Sequence, residues 1–238
     1  MNHASTKHYR QAYADILLAV DNAAHANIRP NMVRLLAVSK TRTAAEVAEL
    51  AKAGQLAFGE NYVQEALPKI EALRELGLEW HLIGHLQSNK AQDAARTFDW
   101  VQSLDRPKLV PLLARHRPDG MTPLNVLVQV NIDDETSKHG CVPADALALA
   151  DLVAEQPNLR LRGLMAIPAP HEDPQRCVQA FVAMRELFDA IALRHPGIDT
   201  LSMGMSGDFV AAIEQGATMV RIGSALFGPR APQDASQK

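Results

Sequence analysis

The chain has almost no thiol chemistry to offer. Its only two cysteines, Cys141 and Cys177, are far apart and fit no metal or redox spacing. That excludes a disulfide scaffold and a thiolate metal cluster, and it suits a reducing compartment. Long apolar runs are missing too, since none approaches the roughly 18 residues a membrane-spanning helix needs. The opening residues, "MNHASTKHYRQAYADILLAV", are too polar for a secretory signal. These absences predict a soluble, cytoplasmic protein. An excess of one charge is also lacking: a formal net charge of −3 gives no electrostatic footprint for nucleic acid or an anionic membrane. Finally, "SKTRTA", the segment after the first apolar strand, contains no glycine. The dinucleotide loop of a doubly wound sheet is therefore absent.

What is present is an ordinary globular composition in 238 residues, a length that α/β barrels routinely use as one unit. An amphipathic helix is predicted over 7–26, with Tyr9, Tyr13, Ile16, Leu17 and Val20 at helical spacing, stopped by "IRPN". Strand and helix patterns then alternate without a break in composition. Strands are predicted at 33–39, 56–58, 80–83, 100–103, 124–132, 159–167, 200–203 and 218–223. Thr43 and Glu46 form a capping box for the first intervening helix, Gly54 ends it, and Asn61 is placed to cap the next. Alternation of this kind means a parallel sheet. Eight units in this length favour closure into a single (β/α)8 TIM-type barrel over residues 1–230, with an extra N-terminal helix. The polar tail, 231–238, is expected to fray.

In such a barrel the chemistry collects at the C-terminal ends of the strands. Lys40 ends "LLAVSK", a run that otherwise reads as core. The ordinary alternative is a stem packed on apolar surface with its ammonium in water. A lysine held at a buried strand end is instead pushed towards its free amine, which attacks carbonyls to form a Schiff base. Both a sugar-phosphate aldolase and a pyridoxal 5'-phosphate (PLP) site use such an amine. The segments "SMGMSGDF" and "RIGSALFG" put Ser206–Gly207 and Gly223–Ser224 at helix starts after the last two strands. Barrels frequently bind phosphate there. Arg221 shares a side with Gly223 in an extended strand. It either pairs with a carboxylate in the barrel wall or meets the ring nitrogen of a cofactor whose phosphate lies on Gly223. His81 and His85 lie on a strand running into a turn with no third ligand evident, so no metal is expected. The acidic pair in "NIDDETSKHG" reads as solvated, and Lys138 is either an ordinary surface lysine or one that reaches over the barrel mouth in cofactor exchange.

The segments "AVSKTRTAAEV", "FGENYVQEALPKI", "WHLIGHLQSNK" and "LSMGMSGDFVAAIEQGATMVRIGSALFG" together resemble the pyridoxal phosphate homeostasis protein family. These barrels are similar to the N-terminal domain of alanine racemase. The resemblance spans nearly all of the chain after the first helix. It implies PLP as the cofactor, held as a Schiff base on Lys40, with Ser206, Gly223 and Ser224 on the phosphate and Arg221 at the pyridine nitrogen. It also implies that Asn61 and Met165 face the ring. The expected function is PLP binding in the homeostasis of PLP and amino acids, without catalytic turnover, with PLP-dependent apo-enzymes as possible recipients. The alternative is a small PLP-dependent amino-acid racemase or decarboxylase. In alanine racemase a catalytic tyrosine comes from the partner subunit's second domain, and Tyr9, Tyr13 and Tyr62 match no such position. Without that domain, a monomer is expected.

Overall fold

The computed structural model describes residues 3–26, 33–133, 139–169 and 174–228. Eight short parallel strands form its centre: β1 (Arg34–Val38), β2 (Ala57–Glu60), β3 (Glu79–Leu82), β4 (Trp100–Leu104), β5 (Leu124–Val130), β6 (Leu159–Ala166), β7 (Thr200–Met205) and β8 (Met219–Ile222). Each pairs with the next, and β8 returns to β1, with Leu36 opposite Arg221, so the sheet closes into a barrel. The helices are α1 (His3–Ala26), α2 (Ala44–Lys52), α3 (Val63–Ala72), α4 (Ala91–Thr97), α5 (Leu109–His116), α6 (Ala146–Ala154), α7 (Pro174–Arg194), α8 (Phe209–Glu214) and α9 (Ser224–Phe227). The expected eight-unit barrel with an N-terminal helix is what forms.

Alternation along the strands divides the interior into two environments. Side chains on the outer face, such as Phe58, Val101 and Leu201, join the large apolar core beneath the helices. Those on the inner face form two small clusters: Leu36, Ala57, Ile83 and Met219 in one, Trp100, Leu127 and Met165 in the other. Between them lie fully buried polar groups, His81, Gln102, Ser202 and Arg221. The barrel lumen is therefore packed but not dry in character. Helix α1 packs on α2, α8 and α9, with Tyr9 edge-on to Phe227. It covers the seam where the last strand meets the first.

Thr43 caps α2 in the reciprocal arrangement, accepting from Glu46 N at 3.2 Å while Glu46 Oε2 accepts from Thr43 N at 2.8 Å. Gly54 follows the C-cap with φ +114°. Asn61 does not cap α3: the N-cap is Tyr62, with no side-chain capping bond. The strand runs two residues further than its apolar pattern, to Glu60, so Asn61 sits in the connecting loop. The "IRPN" stop, Lys138 and the tail from 231 fall outside the described residues.

Candidate functional site

Lys40 is carried on a tight turn just beyond β1. Arg42 N donates to Ser39 O at 3.0 Å, and the turn puts Thr41 at φ +65°, an unusual conformation for a β-branched residue. The turn is anchored from outside the barrel. Ser39 O also accepts from Lys69 Nζ at 2.9 Å, and Lys69 pairs with Glu60 Oε1 at 2.6 Å. Ser39 Oγ donates to the same carboxylate oxygen at 2.5 Å. All three groups are buried. Arg42 reaches across the barrel seam to Gly228 O at 2.6 Å, tying this loop to the end of α9.

Above the barrel two cavities share Lys40 and Arg221. The first, of about 300 Å³, is lined by Lys40, Ser206, Arg221, Gly223 and Ser224. The second, of about 330 Å³, adds Asn61, His85, Gln129 and His139 to Lys40 and Arg221. Ser206 lies in a turn before α8, whose N-cap is Asp208, and not at the first helical residue that the sequence implies. Asn61 is held against the following loop by close backbone approach, because any Cβ on Gly84 would fall 2.1 Å from Asn61 O. Met165 does not line either cavity. Its side chain is fully buried with Trp100 and Leu127, and Ile167, two residues further along, reaches the second cavity instead. On this strand it is therefore Ile167, and not Met165, that borders the space above the barrel.

Among the described residues, Arg221 has no carboxylate partner in the barrel wall. Nη2 donates to Ala166 O at 2.7 Å and Nη1 to Ser202 Oγ at 2.8 Å. Burial brings its guanidinium down to about 10, opposed by the charge of Asp208, which leaves it positive near neutrality. From Ser202 a polar chain continues through the lumen. Ser202 Oγ donates to Gln102 Oε1 at 2.7 Å, Gln102 Nε2 lies 2.8 Å from His81 Nδ1, and His81 Nε2 lies 2.6 Å from Glu79 Oε1. Burial pushes His81 below the usual imidazole range, against the pull of Glu79. It is therefore neutral at pH 7, with Nδ1 accepting and Nε2–H donating. Burial by itself would raise Glu79, but the hydrogen bond from His81 and the charge of Arg34 outweigh it and bring the carboxyl down to about 2.

Sequence reading singled out Arg221 and His81 but not Ser202, Gln102 and Glu79 of this chain, nor the Glu60–Lys69 anchor. Lys69 did carry a signal, because it falls on the buried face of α3 with Val63 and Ala66. A cation on an apolar helical stripe implies a buried partner. Ser202 and Gln102 are single polar residues within apolar strands, which sequence cannot distinguish from edge positions.

The alanine racemase N-terminal domain model matches residues 20–231. The pyridoxal phosphate homeostasis protein of Pseudomonas aeruginosa is 53% identical over 218 residues, covering 91% of this chain and 94% of that protein. The corresponding protein of Escherichia coli K12 is 52% identical over 204 residues, covering 84% and 87%. Among solved structures, PipY of Synechococcus elongatus PCC7942 with PLP bound is 36% identical with a TM-score of 0.76, covering 88% of this chain and 99% of its own. An unknown protein from Bifidobacterium adolescentis superposes with a TM-score of 0.87 at 31% identity, covering 95% and 97%. On this evidence the chain belongs to the pyridoxal phosphate homeostasis protein family.

Proposed function

We propose that this protein binds PLP at the mouth of the barrel and serves its homeostasis, holding the cofactor covalently on Lys40 and releasing it to PLP-dependent apo-enzymes without turning over amino acids itself. The observation that carries this reading is the convergence of Lys40, Arg221, Ser206, Gly223 and Ser224 on one cavity. The donor set fits the cofactor. Lys40 offers an amine for its aldehyde, the serine hydroxyls and glycine loops offer donors for a dianionic phosphate, and Arg221 offers a cation at the ring nitrogen.

When bound to an enzyme, PLP supplies an electrophilic aldehyde and, with its ring nitrogen protonated, an electron sink. A carboxylate beside that nitrogen keeps the proton there. A guanidinium carries its own charge and does not. Arg221 is held by neutral oxygens on Ser202 and Ala166, so its charge is directed to the cavity uncompensated by either contact. This supports binding without efficient catalysis.

Borohydride treatment of protein loaded with PLP, followed by peptide mapping, tests the attachment. The label is expected on the peptide containing Lys40, and Lys40→Ala should abolish the visible absorption near ~420 nm of a lysine-bound cofactor. Label confined to any other lysine refutes the assignment.

A further inference from the structure

Three side chains at the barrel mouth, two of them bordering the second cavity, have no part in the cofactor-binding role proposed above. His85 follows β3, Asp105 follows β4, and His139 precedes the segment that returns onto β5. One ligand atom from each lies within 4.8 Å of the other two. The imidazoles stack with ring centres 3.8 Å apart and planes inclined by 17°. His85 Nδ1 faces Asp105 Oδ2 at 3.4 Å. These residues come from three separate βα connections, so their meeting is a product of the closed barrel and not of sequence proximity.

Two of the three members, Asp105 and His139, are supported from behind. Asp105 Oδ1 accepts from Arg106 Nη1 at 2.6 Å, and Arg106 Nη2 donates to Leu86 O at 2.7 Å. That orients the carboxylate, as supporting hydrogen bonds do around bound ions. His139 O accepts from Gln129 Nε2 at 3.1 Å. Cys141 N donates to Gln129 O, and Asn131 N to Cys141 O, both at 2.9 Å. Gly140 between them has φ +129°, and a Cβ there would lie 2.5 Å from Asn131 N. Only glycine lets the chain lie this close to β5, so His139 stands on a fixed backbone.

We propose that His85, Asp105 and His139 form a binding site for one divalent transition-metal ion of the zinc type. Two imidazole nitrogens and one carboxylate oxygen are a borderline donor set that suits zinc, cobalt or nickel and not magnesium or calcium. Bonds of about 2.1 Å around a tetrahedral ion set its ligand atoms about 3.4 Å apart. Small side-chain rotations of the two exposed histidines reach that spacing. Three protein ligands leave a position open to water, facing the cavity that also contains Lys40 and Arg221.

The test uses the full chain, freed of metal with a chelator that is then removed, and titrated with Co²⁺ alone. The ligand-field absorption should saturate at one equivalent, be displaced by Zn²⁺, and resist millimolar Mg²⁺. His85→Ala and His139→Ala should each weaken binding by roughly tenfold or more. His195→Gln, which alters the separate His195–Asp151 pair at 2.7 Å, should bind as wild type. Circular dichroism verifies that each variant retains its fold. No cobalt absorption in wild type at millimolar metal overturns the proposal. So does unchanged affinity in both histidine variants, or a signal abolished by Cys177→Ser.

Discussion

Replacing Lys69 with methionine would test the anchor under the Lys40 turn. Methionine keeps much of the side-chain volume but removes the ammonium that meets Glu60 Oε1 at 2.6 Å and Ser39 O at 2.9 Å. Glu60 is fully buried, and its Oε2 has no hydrogen-bond partner among the described residues. The substitution therefore leaves a buried carboxylate supported by Ser39 Oγ alone. Removing one member of a buried ion pair costs about 3–5 kcal/mol, a large share of the roughly 5–15 kcal/mol by which folded domains are stable. At a urea slope of about 2–3 kcal/mol per molar, the unfolding midpoint should fall by about 1–2.5 M. Adding Glu60→Gln should restore at least half of the loss, because no uncompensated charge then remains. The Lys69→Met variant should also retain PLP less well, since the turn holding Lys40 loses a donor. A loss within about 0.5 kcal/mol, the range of ordinary surface changes, would refute the reasoning. A double variant no more stable than the single one would refute it equally.

Ser206→Ala and Ser224→Ala each remove a hydroxyl beside the proposed phosphate, about 1.5–3 kcal/mol for a charge-assisted bond. PLP should dissociate roughly 10–150-fold more readily while pyridoxal binding barely changes; equal losses for both ligands would show that these loops do not hold the phosphate. Arg221→Glu should raise exchange of an amino acid's α-proton with deuterated solvent, provided that PLP is retained. Wild-type exchange at ordinary enzyme turnover, on the order of 1–10³ per second, would overturn the non-catalytic reading. Stability should fall as the solution is acidified. His81 is depressed in the fold, so its contribution is full above about pH 6.5 and is lost as the unfolded chain takes up the proton first. Glu79, brought down to about 2, adds a second loss from about pH 4.5 downwards. His81→Gln should flatten the upper part of that profile, and an unchanged slope between about pH 6.5 and 4.5 would contradict it.

The barrel was legible because short, mostly apolar strand segments alternate with helical patterns along the chain, and some boundaries are marked, as by Thr43 with Glu46 before α2. Lys40, Arg221 and the two glycine-serine loops were legible because a barrel delivers its strand ends to one face. Other features depended on registers that a pattern leaves open by a residue or two. Met165 falls within the strand expected over 159–167, yet only the closed barrel packs its side chain with Trp100 and Leu127 while Ile167 borders the second cavity. Asn61 has the composition of a helix cap, yet β2 extends to Glu60 and leaves it in a loop. His85 showed no third ligand in sequence because its neighbours come from β4 and β5, and only closure of the sheet brings them near.

The polar chain in the lumen has a fixed sense. Arginine can only give hydrogen bonds and an ionised carboxylate can only receive them, and these two groups stand at its opposite ends. Ser202, Gln102 and His81 between them can each turn either way in isolation. Here every hydrogen is committed to point from Arg221 towards Glu79. Reversing any one link would set two donors or two acceptors face to face among buried groups. The carboxylate at one end and the arginine at the other thus demand the same imidazole tautomer. A substitution such as Gln102→Glu would be felt at both ends, although it touches neither.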